Sequence, residues 1–123
     1  MKYSSLLAFL NGELPSVQFS EEIATEVDEC HASIKATREG RILVPRGPET
    51  AGTRAQARRL LQAMADKSLS LEAASYVADC IIMSHCFDFD DDELALEAID
   101  FASDDSPPRP TVEMVQSVLN GLD

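Results

Sequence analysis

The stretch Leu71–Met83 is apolar on two helical faces at once. Leu71, Ala74, Val77, Ala78 and Ile81 recur at helical intervals, and Ala73, Tyr76, Cys80 and Met83 form a second stripe beside them. Residues three and four apart share one side of an α-helix. A helix with a single apolar stripe lies on a surface, whereas one apolar on two sides must be covered from both. A chain that contains this segment therefore has to wrap other helices around it.

The rest of the chain supplies them. A first helix is expected over Tyr3–Leu10, stopped by Asn11-Gly12. Pro15 keeps the chain extended until Ser20 caps a second helix, with Glu21 and Glu22 in its first turn, Ile23, Val27, Cys30 and Ile34 inward, and Gly40 as its close. Thr53 and Gln56 form a capping box for a third helix, in which Ala57, Leu60, Leu61 and Met64 face inward and Arg54, Arg58 and Arg59 lie opposite. Ser70 caps the central segment. Asp90 and Glu93 repeat the capping-box pattern, with Phe89 and Leu94 as a hydrophobic staple and Leu94, Ala95, Ala98, Ile99 and Phe101 inward. After a stiff loop, Asp104–Pro110, Thr111 caps a last helix carrying Val112, Val115, Val118 and Leu119. Only Ile42-Leu43-Val44, between Gly40 and Pro45, has strand character, and no second run offers it a partner. The expected fold is all-α: one domain over residues 1–123, an irregular antiparallel bundle of about six helices with one short extended connector near residues 41–45.

Cys30-His31 and His85-Cys86 have the ligand types of a zinc site, but adjacent helical residues diverge by about 100° and the spacing matches no common finger. A calcium loop starting at Asp88 needs glycine at its sixth position and glutamate at its twelfth, where Glu93 and Ile99 stand. There is no phosphate loop and no nucleophile elbow. Neither a metal, a cofactor nor an enzymatic activity is expected. The longest apolar runs, Leu6–Leu10 and Cys80–Met83, fall well short of the roughly 20 residues that span a bilayer. Residues 11–15 lack a small-residue cleavage pattern, so the N-terminal run reads as the first helix of the mature protein. Three cysteines without framework spacing suit a reduced, cytoplasmic setting.

Charge is the bulk property that speaks to function. The formal net charge is −12, and it is polarised along the chain. Residues 1–34 hold six acids and one base, residues 35–67 three acids and eight bases, and residues 68–123 thirteen acids and one base. Such a field repels nucleic acid and anionic membranes and draws in a basic partner. Arg41, Arg46, Arg54, Arg58 and Arg59 make a local basic region, read here as partners for acids on flanking helices. Within Asp88–Glu93, five of six residues are acidic, more than helix capping needs. The candidate partner-binding residues are Phe87, Asp88, Asp90, Asp91, Asp92, Glu93, Glu97, Asp100, Asp104 and Asp105. Phe87 and Phe89 are candidate anchors, with core packing the favoured role for Phe89.

The order of segments also resembles a known group. Ile42-Leu43-Val44-Pro45-Arg46-Gly47, the helix with Leu60-Leu61-Gln62-Ala63-Met64, the stretch Leu69–Asp79, the acidic turn and the Pro-Thr start of the Pro110–Leu119 segment are similar to small acidic bacterial immunity proteins. These guard cells against polymorphic toxins, including contact-dependent growth inhibition toxins, and the likeness spans residues 40–122 as an overall pattern. It implies binding to a cognate toxin domain in the producing cell, often by covering its active site, with no catalytic residues to carry over. Many such toxins are nucleases and therefore basic, which agrees with the −12 charge. The alternative is an acidic nucleic-acid mimic or regulatory adaptor that binds a basic housekeeping protein.

Overall fold

A computed structural model describes residues 1–122 as an all-α bundle of six helices. The helices are α1 (Tyr3–Leu10), α2 (Ser16–Thr37), α3 (Arg54–Ala65), α4 (Leu71–Ser84), α5 (Glu93–Ser103) and α6 (Val112–Gly121). α4 is central, as its two apolar faces require: α2, α3 and α5 all pack against it. α3 is equally enclosed, by α1, α4, α5 and α6. One continuous core runs through all six helices, and Phe9, Phe19, Leu60, Leu61, Val77 and Ile99 at its centre are essentially inaccessible.

Three helix starts follow their expected caps. Thr53 accepts the Gln56 amide at 3.1 Å while the Gln56 side chain accepts the Thr53 amide at 3.1 Å. Gln56 is buried, and its remaining amide group donates to Asn11 Oδ1 at 2.9 Å, so the capping residue of α3 also fixes the end of α1. Ser70 and Thr111 accept the Ala73 and Met114 amides and start α4 and α6.

Two other ends differ from expectation. α2 begins at Ser16, not after Ser20, with Pro15 as its N-cap and Arg38 in the left-handed region at φ 63° as its C-cap. The reason is Phe19, which is fully buried and stacks on Phe9 with ring centroids 4.5 Å apart. Burying an aromatic ring is worth about 2–3 kcal/mol, more than a serine cap contributes. α5 begins after Asp92, not Asp90; Asp92 accepts the Ala95 amide at 3.2 Å. Leu94 is 43% exposed and no staple closes on it. Ala95, Ala98, Ile99 and Ala102 form the buried face, with Phe101 only partly covered.

The connector over residues 41–45 has no regular structure and lies alongside α4 rather than through the core. Strand pairing occurs elsewhere. β1 (Thr50–Ala51) pairs in parallel with β2 (Phe87–Asp88), Thr50 opposite Phe87 and Ala51 opposite Asp88. The Thr50 amide donates to Cys86 O at 2.7 Å and the Gly52 amide to Asp88 O at 2.6 Å. Glycine at 52 is required by close approach. A Cβ there would stand 2.5 Å from the Phe89 ring, which covers that backbone.

A part-buried polar network ties the connector to the bundle. The Met1 ammonium donates to Glu26 Oε2 at 2.9 Å and to Leu43 O at 3.0 Å. Tyr76 Oη donates to the same Glu26 oxygen at 2.5 Å and accepts the Leu43 amide at 2.9 Å. Burial and the Glu26 hydrogen bond push the Tyr76 phenol far above its ordinary range.

Two stability predictions follow from these contacts. Replacing Glu26 by Ala removes the shared acceptor of the Met1 ammonium and the Tyr76 hydroxyl, and urea denaturation is expected to show a loss of about 1–3 kcal/mol; Tyr76→Phe, which removes only the hydroxyl, loses about 1–2 kcal/mol. Gly52→Ala forces Phe89 out of contact and lowers stability by about 1–3 kcal/mol, read by the same denaturation curves.

Candidate binding cleft

β2, α5 and the turn between them carry most of the expected acidic site, and the structure divides it. A cleft of ≈ 340 Å³ opens between the C-terminal end of α4, β2 and α5. Asp88, Asp90 and Asp100 line it together with Glu49, a carboxylate from the loop before β1. The β1–β2 pairing explains the company: it draws the segment around Glu49 against the segment around Asp88, although they are nearly forty residues apart. Sequence reading missed Glu49 because no local pattern forecasts a two-residue parallel pair. It also missed Ile82 and His85, which line the same cleft. Ile82 is 40% exposed, and His85 sits at φ 56° as the left-handed end of α4.

The other expected site residues have different surroundings. Phe87 is 6% exposed and stacks on Tyr3, with centroids 5.5 Å apart, so its ring belongs to the core and is no exposed anchor. Phe89 is buried as well. Asp92 is held internally: besides capping α5, its carboxylate accepts Arg54 Nε and a second guanidinium nitrogen, both at 3.0 Å. The Arg54 hydrogen bond and the Ala95 amide lower the Asp92 pKa. Asp91, Glu93 and Glu97 are exposed. Asp104 ends α5 and accepts the Ser106 amide at 3.0 Å, which lowers its pKa.

Glu93, Glu97, Asp100 and Asp104 follow one another at spacings of four, three and four, so they form a single exposed stripe along α5. On one flank, Leu96 and Ile99 line the cleft. On the other, Leu94 and Phe101 line a groove against α6. The acids thus run along a crest with apolar surface on both sides.

The basic region resolves only partly into pairs with acids. Arg54 pairs with Asp92. Arg59 instead lies over the Phe9 ring, 5.1 Å from its centroid, and donates to the Phe9 and Leu14 carbonyls at 3.3 and 3.4 Å. The two Cys-His pairs do not meet, since His31 lines a second cleft and His85 the first. Among the described residues, no group of three or more His, Cys, Asp or Glu is placed to hold a metal ion. All three cysteines are buried thiols, and burial pushes the Cys80 thiol up to about 12. No helix is long and apolar enough to cross a membrane.

The second cleft, ≈ 230 Å³, lies where α2, α4 and the loop after α5 come together. Asp79 faces Cys30 and His31 from α2, Glu72 and Tyr76 from its own helix, and Asp105 and Arg109 from the loop. Burial, reinforced by the charge of Asp105, pushes the Asp79 carboxyl up to about 6. A raised folded-state pKa favours the neutral form. The contribution is therefore fully present below the unfolded value near 3.8 and is lost as pH rises through about 6.

Asp79→Asn, which keeps the side chain neutral, is expected to stabilise the chain at pH 7.5 by about 1–2 kcal/mol after allowance for partial solvent access. The advantage shrinks toward zero near pH 4. Thermal unfolding of parent and variant across that range checks it, and a pH-independent difference would contradict the assignment. No family model matches this chain, and neither the curated proteins nor the solved structures compared with it give a match. The cleft and the crest are therefore read from their own chemistry.

Proposed function

We propose that this chain is an immunity protein that binds and neutralises a basic toxin domain through the acidic crest of α5 and the cleft beside it. The observation that carries the reading is the stripe Glu93, Glu97, Asp100 and Asp104 on a helix that contains no base. Like charges three or four residues apart each destabilise a helix by about 0.2–0.5 kcal/mol. Asp100 and Asp104 also lie at the C-terminal end of α5, where the helix dipole disfavours anions. Glu93 suits the first turn of α5 and Asp104 holds the Ser106 amide, but the bundle has no comparable use for the charges of Glu97 and Asp100. A basic partner relieves the repulsion, because each carboxylate then gains a counter-charge.

The mechanism is inhibition by occupancy. A toxin that acts on nucleic acid is basic where its substrate binds, and an acidic crest competes for that surface. The −12 field steers the encounter, and apolar contacts set the lifetime of the complex. Leu94 and Ile82, both more than a third exposed on either flank of the crest, are suited to supply those contacts. Asp92 is left out of this surface because Arg54 already neutralises it.

The proposal places the toxin domain in the gene immediately upstream: co-expression with that gene's product is expected to restore growth, and the two proteins co-purify; growth arrest without co-purification sinks the proposal. The double reversal D91K/D100K is expected to slow association about tenfold at low salt and to flatten its salt dependence. The same variant melts at a higher temperature than the parent, since Asp100 no longer repels Glu97. Unchanged association kinetics would remove this face from the mechanism.

A further inference from the structure

The cleft beside the crest has a more specific character than the acidic face as a whole. Its floor is apolar: Ile81, Phe87, Phe89 and Ile99 are buried beneath it, and Ile82 and Leu96 form its walls. Its rim carries four carboxylates from three separate segments, Glu49, Asp88, Asp90 and Asp100. Asp88, Asp90, Asp100 and Glu49 are all exposed. An apolar trough with an anionic rim matches one kind of side chain, a long aliphatic stem that ends in a cation.

We infer that this cleft is a recognition pocket for an arginine side chain of a protein partner. This rests on the reading above that the chain binds a basic protein. Arginine fits better than lysine for two physical reasons. Its guanidinium is weakly hydrated and leaves water readily for a half-enclosed site, and its planar fork reaches carboxylates in several directions at once. An ammonium is a compact, strongly hydrated charge that gains less from carboxylates spread around a rim. The stem of the arginine lies against Ile82 and Leu96, which accounts for an isoleucine left 40% exposed at the end of α4. Glu49 gives the pocket its far wall, and the β1–β2 hydrogen bonds hold that wall in place.

The test uses the full chain, labelled on its methyl groups and amides, titrated by NMR with arginine blocked at both ends (N-acetyl-arginine amide). Blocked lysine and blocked glutamine are run in parallel. Saturable shifts are expected at Ile82, Leu96, Ile99 and His85, with blocked lysine at least threefold weaker and blocked glutamine silent. D88N/D100N weakens the arginine response at least fivefold, whereas E21Q/E22Q, at exposed positions of α2 outside the cleft, leaves it within twofold. E49Q, in an exposed loop, repeats the loss should the double variant unfold. Shifts scattered over all carboxylates, equal responses to arginine and lysine, or equal effects of the two double variants would each overturn the assignment. If the upstream toxin domain co-purifies while blocked arginine leaves the cleft unmoved, the pocket is refuted and the partner reading stands. If arginine binds in the cleft and no toxin is captured, the partner reading falls and the pocket stands.

Discussion

Two backbone hydrogen bonds, from the Thr50 amide to Cys86 O and from the Gly52 amide to Asp88 O, decide where the acidic end of this molecule is built. They join the loop before α3 to the loop before α5, and each loop then starts its helix from a fixed point. The pairing is tight because Gly52 lets Phe89 lie directly on the backbone. Arg54, two residues beyond Gly52, reaches Asp92, four residues beyond Asp88, so the ion pair prolongs the same junction. Glu49 enters the cleft for the same reason. A two-residue pair of strands is too short to be stable alone. It persists here because Tyr3 stacks on Phe87 and Cys86 packs beneath the connector, its thiol donating to Gly47 O at 3.3 Å.

The bundle itself was legible in the sequence where the signals are local. Thr53 with Gln56, Ser70 and Thr111 each satisfy amides within three residues of themselves, so the pattern of residues contains the whole interaction. The double-faced stripe of α4 likewise required a central position. Illegible features depend on partners distant in the chain. Phe19 starts α2 early because Phe9 is there to stack on it. Asp92 outcompetes Asp90 as the cap of α5 because Arg54 holds its carboxylate in place, and Asp90 has no such partner to fix it. Leu94 leaves the core because a start at Asp92 turns the buried face of the helix onto Ala95, Ala98 and Ile99.

The candidate site shows the same division. That acids cluster between Asp88 and Asp105 was readable from composition and spacing. Which of them act together was not. Of the ten residues expected, Asp88, Asp90 and Asp100 share the cleft, Phe87 supports its floor, Asp92 is neutralised, and Asp105 faces Asp79 and Arg109 in a different cleft. Glu49 and Ile82 had no signal, since each is an ordinary residue for its local setting, and His85 stood out only as one of two Cys-His pairs that do not meet. A charge run in sequence thus maps onto three different electrostatic situations.

Those situations separate acids that stabilise the chain from acids that burden it. Glu26 is surrounded by donors, the Met1 ammonium and the Tyr76 hydroxyl, and stitches α2 to α4 and the connector. Asp92 has Arg54 and a helix N-terminus. Asp79 has neither; burial and Asp105 both oppose its charge and raise its pKa. The crest of α5 lies between these cases, exposed enough for water to screen it but repelling itself along the whole helix. Arg109 relieves Asp104 alone, whereas Arg54 is engaged with Asp92 and Arg59 with the Phe9 ring and two carbonyls. With those arginines engaged, Glu93, Glu97 and Asp100 face solvent with no ion-pair partner among the described residues. On the proposed reading, a basic partner supplies the counter-charges, and the burden on the free chain becomes a driving force for association.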